Sequence, residues 1–308
     1  MSENLFQLYV TQFTANLEMK LQQAGSKLRG KIAEGMHAGA KQASPINQMA
    51  AIQLKLPPGR FAPKNRTDTD FTRRWVFPKD GEIDQLIDSF DELKTIVDPK
   101  SQYVTNAAAA VGRGWDDEII LQATGTSYTG NGADATALTA ETFDTSKFRI
   151  ADTFHSTAAS GLTTDKLIEA RRIFRHYHVD LESDPITLVI GSQQEADLLG
   201  QVTFVSREFN DKPVLVDGRV TRFMGFDIVC MERLPTYTTN TRGVLAIARS
   251  GMYLGMWKDQ TNRVSIRNDL SGEPYDLYTS VSYGATRTQP GKVLQIACLD
   301  STGADITA

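Results

Sequence analysis

Residues 73–130 read RRWVFPKDGEIDQLIDSFDELKTIVDPKSQYVTNAAAAVGRGWDDEIILQATGTSYTG. An Arg-Arg-aromatic run stops at Pro78, two helical patterns follow, and a tail rich in Gly and Thr closes the stretch. Ile83, Leu86, Ile87, Phe90, Leu93 and Val97 recur at helical spacing, so residues 82–97 read as a helix. Asp98 and Pro99 offer an N-cap and a first-turn proline to a second helix over about 99–123. Its stripe is Val104, Ala108, Val111, Trp115 and Ile119. At about 1.5 Å per residue it is near 37 Å long, which suits a strut. Residues 124–142 have little to bury and read as a loop or an irregular strand pair.

Upstream of this stretch the chain has no core of its own. Residues 3–35 carry Leu5, Leu8, Tyr9, Phe13, Leu17, Leu21 and Leu28 at helical spacing, loosened by Gly25, Gly30, Gly35 and Gly39. Such an amphipathic arm has to lie on something else. Residues 51–79, with Pro57, Pro58, Gly59, Pro63 and Pro78, read as a two-stranded excursion. Its limbs are AIQLKL (51–56) and FTRRWVF (71–77). A dozen residues per limb reach roughly 40 Å. A lone hairpin is marginal in water, so it needs a surface to rest on.

Downstream, residues 152–258 read as an α/β unit. Thr163 or Thr164 caps a helix with the stripe Leu167, Ala170, Phe174 and Tyr177, and ITLVIG (186–191) is a buried strand. Ser192 and Glu195 have capping-box spacing for a helix ending near Leu199. Asp217-Gly218 marks a hairpin, and GFDIVCM (225–231) another strand. Residues 244–299 alternate as VLAIA, MYLGMW, RVSIRN, YDLYTSVSYGATRT and KVLQIACL, which reads as one long antiparallel sheet.

The chain has 308 residues and a net charge of −4, so it is not an electrostatic nucleic-acid binder as a whole. Cys230 and Cys298 each sit in an apolar run and read as buried thiols. The first ten residues lack the features of a signal peptide, and no apolar run is long enough to span a membrane. Asn65-Arg66-Thr67 matches a glycosylation sequon by chance. Charge is segregated along the chain. Lys20 to Arg66 holds nine bases and one acid, Glu34, whereas Asp80 to Asp98 holds seven acids and one base, Lys94. These are two solvated faces or two complementary surfaces.

The usual constellations of catalysis are missing. GNGAD (130–134) lacks the GK[ST] of a phosphate loop, and Gly130 with Gly132 begins a dinucleotide fingerprint that does not continue. No nucleophile elbow occurs. His176 and His178 are two apart, so on a helix they face different ways and read as helix-end residues rather than metal ligands. Asp116, Asp117 and Glu118 read as the solvated side of a helix.

The order of elements resembles the major capsid proteins of tailed phages, with the Hong Kong ninety-seven fold. The likeness is carried by the Arg-Arg-aromatic strand, the "ID..D.L....DP.S.Y" segment, the helix with its glycine tail in the opening stretch, and FMGFDIVCMERLP (223–235). It implies an α+β capsid fold with an N-terminal arm (1–50), an extended β-hairpin loop (51–80) and a peripheral domain with its spine helix (81–151). An axial α/β domain (152–243) and a β-rich return to the peripheral domain (244–308) complete it. It implies a subunit that is no enzyme, needs no cofactor or metal, and self-assembles into pentamers and hexamers of an icosahedral shell. That shell encloses double-stranded DNA, held non-specifically, in a virion assembled in the bacterial cytoplasm. Scaffolding, portal and decoration proteins are the implied partners, and no membrane is involved. Some relatives carry a long N-terminal scaffolding segment that is removed. About 50 residues before the loop are too few for one, so a separate scaffolding protein and a retained N-terminus are expected. An encapsulin-type compartment is the nearest alternative. An α/β enzyme using His155 and His176, or a nucleic-acid-binding module, stands further off.

For the loop, the expectation is contact with a neighbouring subunit. Lys55, Arg60, Lys64, Arg66, Arg73 and Arg74 supply charge, and Trp75 and Phe77 an apolar anchor. The acidic partners expected on another copy are Asp84, Asp88, Asp91, Glu92, Asp116, Asp117 and Glu118.

Overall fold

The computed structural model describes residues 22–38, 43–56, 59–60, 63, 66–87, 100–130, 138–201, 215–216, 219–220, 222–238 and 240–300. In chain order the early strands are β1 (Ala33–Met36), β2 (Ala43–Met49), β3 (Phe71–Val76) and β4 (Lys79–Ile87). Helix α1 (Lys100–Thr124) follows, then β5 (Ser127–Thr129), β6 (Thr139–Glu141), the single turn α2 (Thr145–Phe148) and β7 (Arg149–Ile150). Next come α3 (Thr164–His176), β8 (Ile186–Ile190) and α4 (Ser192–Leu199). Strands β9 (Leu215–Val216), β10 (Arg219–Val220), β11 (Arg222–Phe223), β12 (Phe226–Cys230) and β13 (Thr236–Thr238) lead to the long strands of the C-terminal part. These are β14 (Thr241–Ala248), β15 (Met252–Ile266), β16 (Tyr275–Arg287) and β17 (Val293–Leu299).

The chain divides into two compact units. The larger draws on Lys27–Lys79, Gly114–Trp257 and Ser282–Ala308, and the smaller on Met1–Ser26, Asp80–Arg113 and Lys258–Val281. The larger is centred on a seven-stranded sheet of order β11-β12-β8-β14-β17-β7, with β13 on β14. Strand β8 is parallel to β12 and antiparallel to β14. Its five residues are all buried because each face of the sheet is covered. Ile186, Leu188 and Ile190 share one cluster with Leu167, Ala170 and Phe174 of α3 and Leu198 of α4. Val189 joins the other cluster, with Ile119, Ile120 and Ala123 of α1 and Leu28 and Ile32 from the N-terminal segment. The period of two along a strand thus sorts one apolar run into two cores.

Several sequence expectations match these elements. The long helix occupies Lys100–Thr124, Thr163 caps α3, and β9 and β10 pair around Asp217-Gly218, whose own placement lies outside the described residues. Residues 127–129 and 139–141 form the strand pair anticipated after the helix. Both cysteines are free, and burial pushes the thiol pKa of Cys230 up to about 11 and that of Cys298 to about 12.

Other expectations are corrected. Residues 82–87 are strand, not helix. Burial alternates along β4, with Ile83, Gln85 and Ile87 turned inward and Leu86 left 54% exposed. Ile83, Leu86 and Ile87 fit a helical stripe equally well, and pairing with β16 decides for the strand. Residues 88–97 lie outside the described residues, as do residues 1–21 of the expected arm helix. Residues 22–36 are not helical. Gly30 takes a left-handed φ of +82°, and β1 pairs in parallel with β15. The first limb of the excursion is Ala43–Met49 rather than residues 51–56. The cap of α4 is Gly191, whose N–H donates to Gln194 Oε1 at 3.0 Å, one residue earlier than Ser192–Glu195. The C-terminal strands do not form one sheet: β14 and β17 join β8 and β12, while β15 and β16 form a sheet with β1 and β4. An expected boundary at residues 243–244 therefore falls inside the seven-stranded sheet.

Candidate assembly surface

The Arg-Arg-aromatic run is strand β3, in the middle of a four-stranded sheet of order β2-β3-β5-β6. It pairs antiparallel with β2, Met49 opposite Phe71 and Asn47 opposite Arg73, and with β5, Arg74 opposite Thr129 and Trp75 opposite Tyr128. Its base is therefore part of a larger sheet and not an isolated hairpin. Burial switches abruptly along it: Phe71, Thr72 and Arg73 are exposed, while Arg74, Trp75 and Val76 are buried.

The two adjacent arginines thus have different roles. Arg74 is only 6% exposed; its Nη1 donates to Ser127 Oγ at 3.3 Å and pairs with Glu141. Trp75 Nε1 donates to the Gly130 carbonyl at 2.8 Å, and Phe77 meets Tyr128 edge to face. These contacts commit Arg74 and Trp75 inside their own chain, which corrects their assignment to a free docking surface. The signal missed in the sequence is Arg287. It is fully buried, and its guanidinium donates to the carbonyls of Ala123 and Gly125 at the end of α1 at 3.0 and 2.9 Å. It also donates to Ser127 Oγ and the Glu141 carbonyl. Burial pulls its pKa down to about 10. Arg287 closes the C-terminal end of α1, where unsatisfied carbonyls concentrate negative potential.

The acidic triplet is corrected in the same way. Asp116 is wholly buried, and its carboxylate accepts the main-chain N–H groups of Lys27 at 2.9 Å and Leu28 at 3.1 Å. Glu118 is buried and pairs with Lys79 at 2.6 Å. Asp117 is half-exposed and binds Arg233 through both oxygens, and this contact raises the Arg233 pKa. In the smaller unit, Gly112 is where the N-terminal segment crosses α1: a Cβ there would lie 2.6 Å from Ser26 N. Arg113 Nη1 holds Gln22 Oε1 and the Gln23 carbonyl alongside. The buried side of α1 is thus a dock for the chain's own N-terminal segment.

Exposed groups remain beyond β2 and β3. The Ala50 N–H donates to the Asp70 carbonyl at 2.9 Å, and past that rung the chain runs out with Ile52, Leu54 and Leu56 all facing solvent. Leu54 is 92% exposed and Leu56 83%. Lys55, Arg60, Arg66 and Arg73 are exposed with them. Lys64, Asp88, Asp91 and Glu92 lie outside the described residues. Asp84 is exposed on β4. Among the described residues no group of three or more His, Cys, Asp or Glu is placed to hold a metal ion, and no helix is long and apolar enough to cross a membrane. His176 ends α3 and His178 follows it, both exposed.

The architecture is shared with subunits of tailed-phage capsids. The capsid of cyanophage P-SCSP1u superposes with a TM-score of 0.73 at 15% identity, over 98% of this chain and 97% of that one. A Mycobacterium phage Che8 structure gives 0.67 at 12% identity over 94% and 97%, and the capsid of an empty GTA particle 0.63 at 13% over 96% and 97%. No curated protein sequence matches the chain. Residues 5–300 match the family model described as phage capsid protein, so the chain belongs to that family and is a phage major capsid protein of the virion capsid.

Proposed function

We propose that this subunit assembles with copies of itself into pentamers and hexamers of an icosahedral shell around double-stranded DNA, without catalysis. Assembly in the host cytoplasm uses a separate scaffolding protein and a portal protein, with decoration proteins added outside. The observation that carries the reading is the excursion at residues 51–73. Among its described residues four large apolar side chains, Ile52, Leu54, Leu56 and Phe71, and four bases stand in solvent. A single exposed leucine is ordinary, but an apolar ridge on a projecting segment marks an interface. The four bases that stay exposed, with Phe71, form the contact set on a neighbouring copy. Individual exposed ion pairs contribute about 0–1 kcal/mol, so the effect arises from repetition around the shell. Purified protein, with scaffold supplied, is expected to sediment as capsomers or shells and to show shells by electron microscopy. A stable monomer at high concentration in every salt condition would reject the proposal.

A further inference from the structure

We propose that the solvent face of α3, with the cleft beside it, is the surface of the larger unit that lies against the sugar-phosphate backbone of double-stranded DNA; this rests on the DNA-enclosing shell proposed above. Charge is concentrated there. Residues 169–178 hold three arginines and two of the chain's four histidines against one acid, Glu169, in a chain whose net charge is −4. By contrast, residues 80–87 and 258–281 hold seven acids and three bases, so the β4–β15–β16 sheet repels a polyanion.

Helix geometry puts these cations on one side. Leu167, Ala170 and Phe174 are buried in the core, and Ile168, Arg172, Arg175 and His176 are exposed on the opposite face. Arg171, half-buried, lies one turn before Arg175. Among the described residues neither Arg171 nor Arg175 has a side-chain hydrogen bond or an ion pair. Like charges one turn apart disfavour a helix by about 0.2–0.5 kcal/mol. The negative end of the helix attracts cations, which accounts for Arg175 and His176 in the last turn but not for Arg171 and Arg172. A polyanion outside the subunit accounts for all four.

Beside the helix is a cleft of about 450 Å³ whose lining includes Lys147 of α2, Arg149 of β7, and Arg172 and His176 of α3. Arg149 is held in place: its Nε donates to Gln295 Oε1 at 2.6 Å, and its guanidinium lies 4.4 Å from the centre of the Tyr237 ring. Glu169, the one acid of the lining, already accepts from Nε and Nη2 of Arg172 at 2.7 and 2.6 Å. A concave surface lined by one sign of charge focuses its field on a counter-ion. The apolar component is small. Ile168 and Tyr177 are its exposed large apolar groups, against Ile52, Leu54, Leu56 and Phe71 on the excursion. Charge without an apolar ridge fits a nucleic-acid contact better than a protein interface. Contacts of this kind go to phosphates and carry no sequence preference.

The test uses the full chain in two forms. With purified subunits and a short DNA duplex, Arg171→Gln with Arg175→Gln should lower the slope of log affinity against log salt by about 2, because two phosphate contacts are lost. Circular dichroism, Tm and shell assembly should be unchanged. Lys55→Gln with Arg66→Gln should leave that slope as it is while weakening assembly. In DNA-filled particles, ultraviolet irradiation should attach nucleotides to His176 or Tyr177, read by peptide mass spectrometry with empty shells as the control. An unchanged slope in the α3 variant, a fall in slope with the loop variant instead, or adducts confined to other residues would overturn this surface. Loss of shells on the α3 substitutions would also overturn it, by making the face a contact between subunits. Wild-type subunits that bind the duplex with the expected slope but never form shells would overturn the assembly reading alone.

Discussion

Strand β8, ITLVI at 186–190, and the segment AIQLKL at 51–56 are both short, apolar and β-prone, yet every residue of the first is buried and every residue of the second is exposed. The difference lies in their neighbours. β8 has a strand on either side and a helix-lined core on each face, so its side chains meet partners within the chain. Residues 51–56 leave the sheet after the Ala50–Asp70 rung and meet nothing comparable among the described residues. Burial is therefore a property of the surroundings. An apolar segment without partners in its own chain indicates where another chain belongs.

Truncating a leucine in each of the two segments separates internal from external burial most strongly. Leu188→Ala is expected to destabilise the subunit by about 2–5 kcal/mol, measured by denaturant unfolding, because it empties a fully buried site. Next come the adjacent arginines. Arg74→Met should cost about 3 kcal/mol, at the low end for a buried pair because Glu141 retains some contact with water. Arg73→Glu should leave the fold intact and weaken assembly. Asp116→Ala removes the acceptor for two main-chain N–H groups, and a loss of about 1–3 kcal/mol is expected, with faster proteolysis near Lys27. Leu54→Ala should change subunit stability by less than about 0.5 kcal/mol while lowering shell yield; a loss comparable to that of Leu188→Ala would place residues 51–56 in an internal core.

The smallest effect concerns pH. Asp84 has a raised pKa in the folded chain, so the native state binds its proton more tightly than the unfolded chain does. The hydrogen bond between its protonated carboxyl and Asp276 is present below the unfolded carboxylate range and gives way to repulsion as pH rises through the raised value. Tm should therefore fall slightly with rising pH across that window, and Asp84→Asn should remove the slope. An unchanged slope would show that Asp84 and Asp276 do not interact.

The long helix, a helix cap at Thr163 or Thr164, the buried strand at 186–190 and the order of elements that marks the family are legible in the chain itself. These rest on local periodicity, capping chemistry and long apolar runs, which neighbouring residues alone specify. The rest depends on contacts between residues far apart along the chain. Ile83, Leu86 and Ile87 fit two periods, and pairing with β16 selected the strand. Arg73 and Arg74 are chemically identical, and the sheet of β2, β3, β5 and β6 separated them by burying one against Glu141, 67 positions further along the chain. Asp116 looked solvated beside Asp117 and Glu118 until the N-terminal segment supplied N–H groups 88 and 89 residues away. Arg287 carried no local signal, because its partners at Ala123, Gly125, Ser127 and Glu141 are brought to it only when β16 meets the end of the long helix.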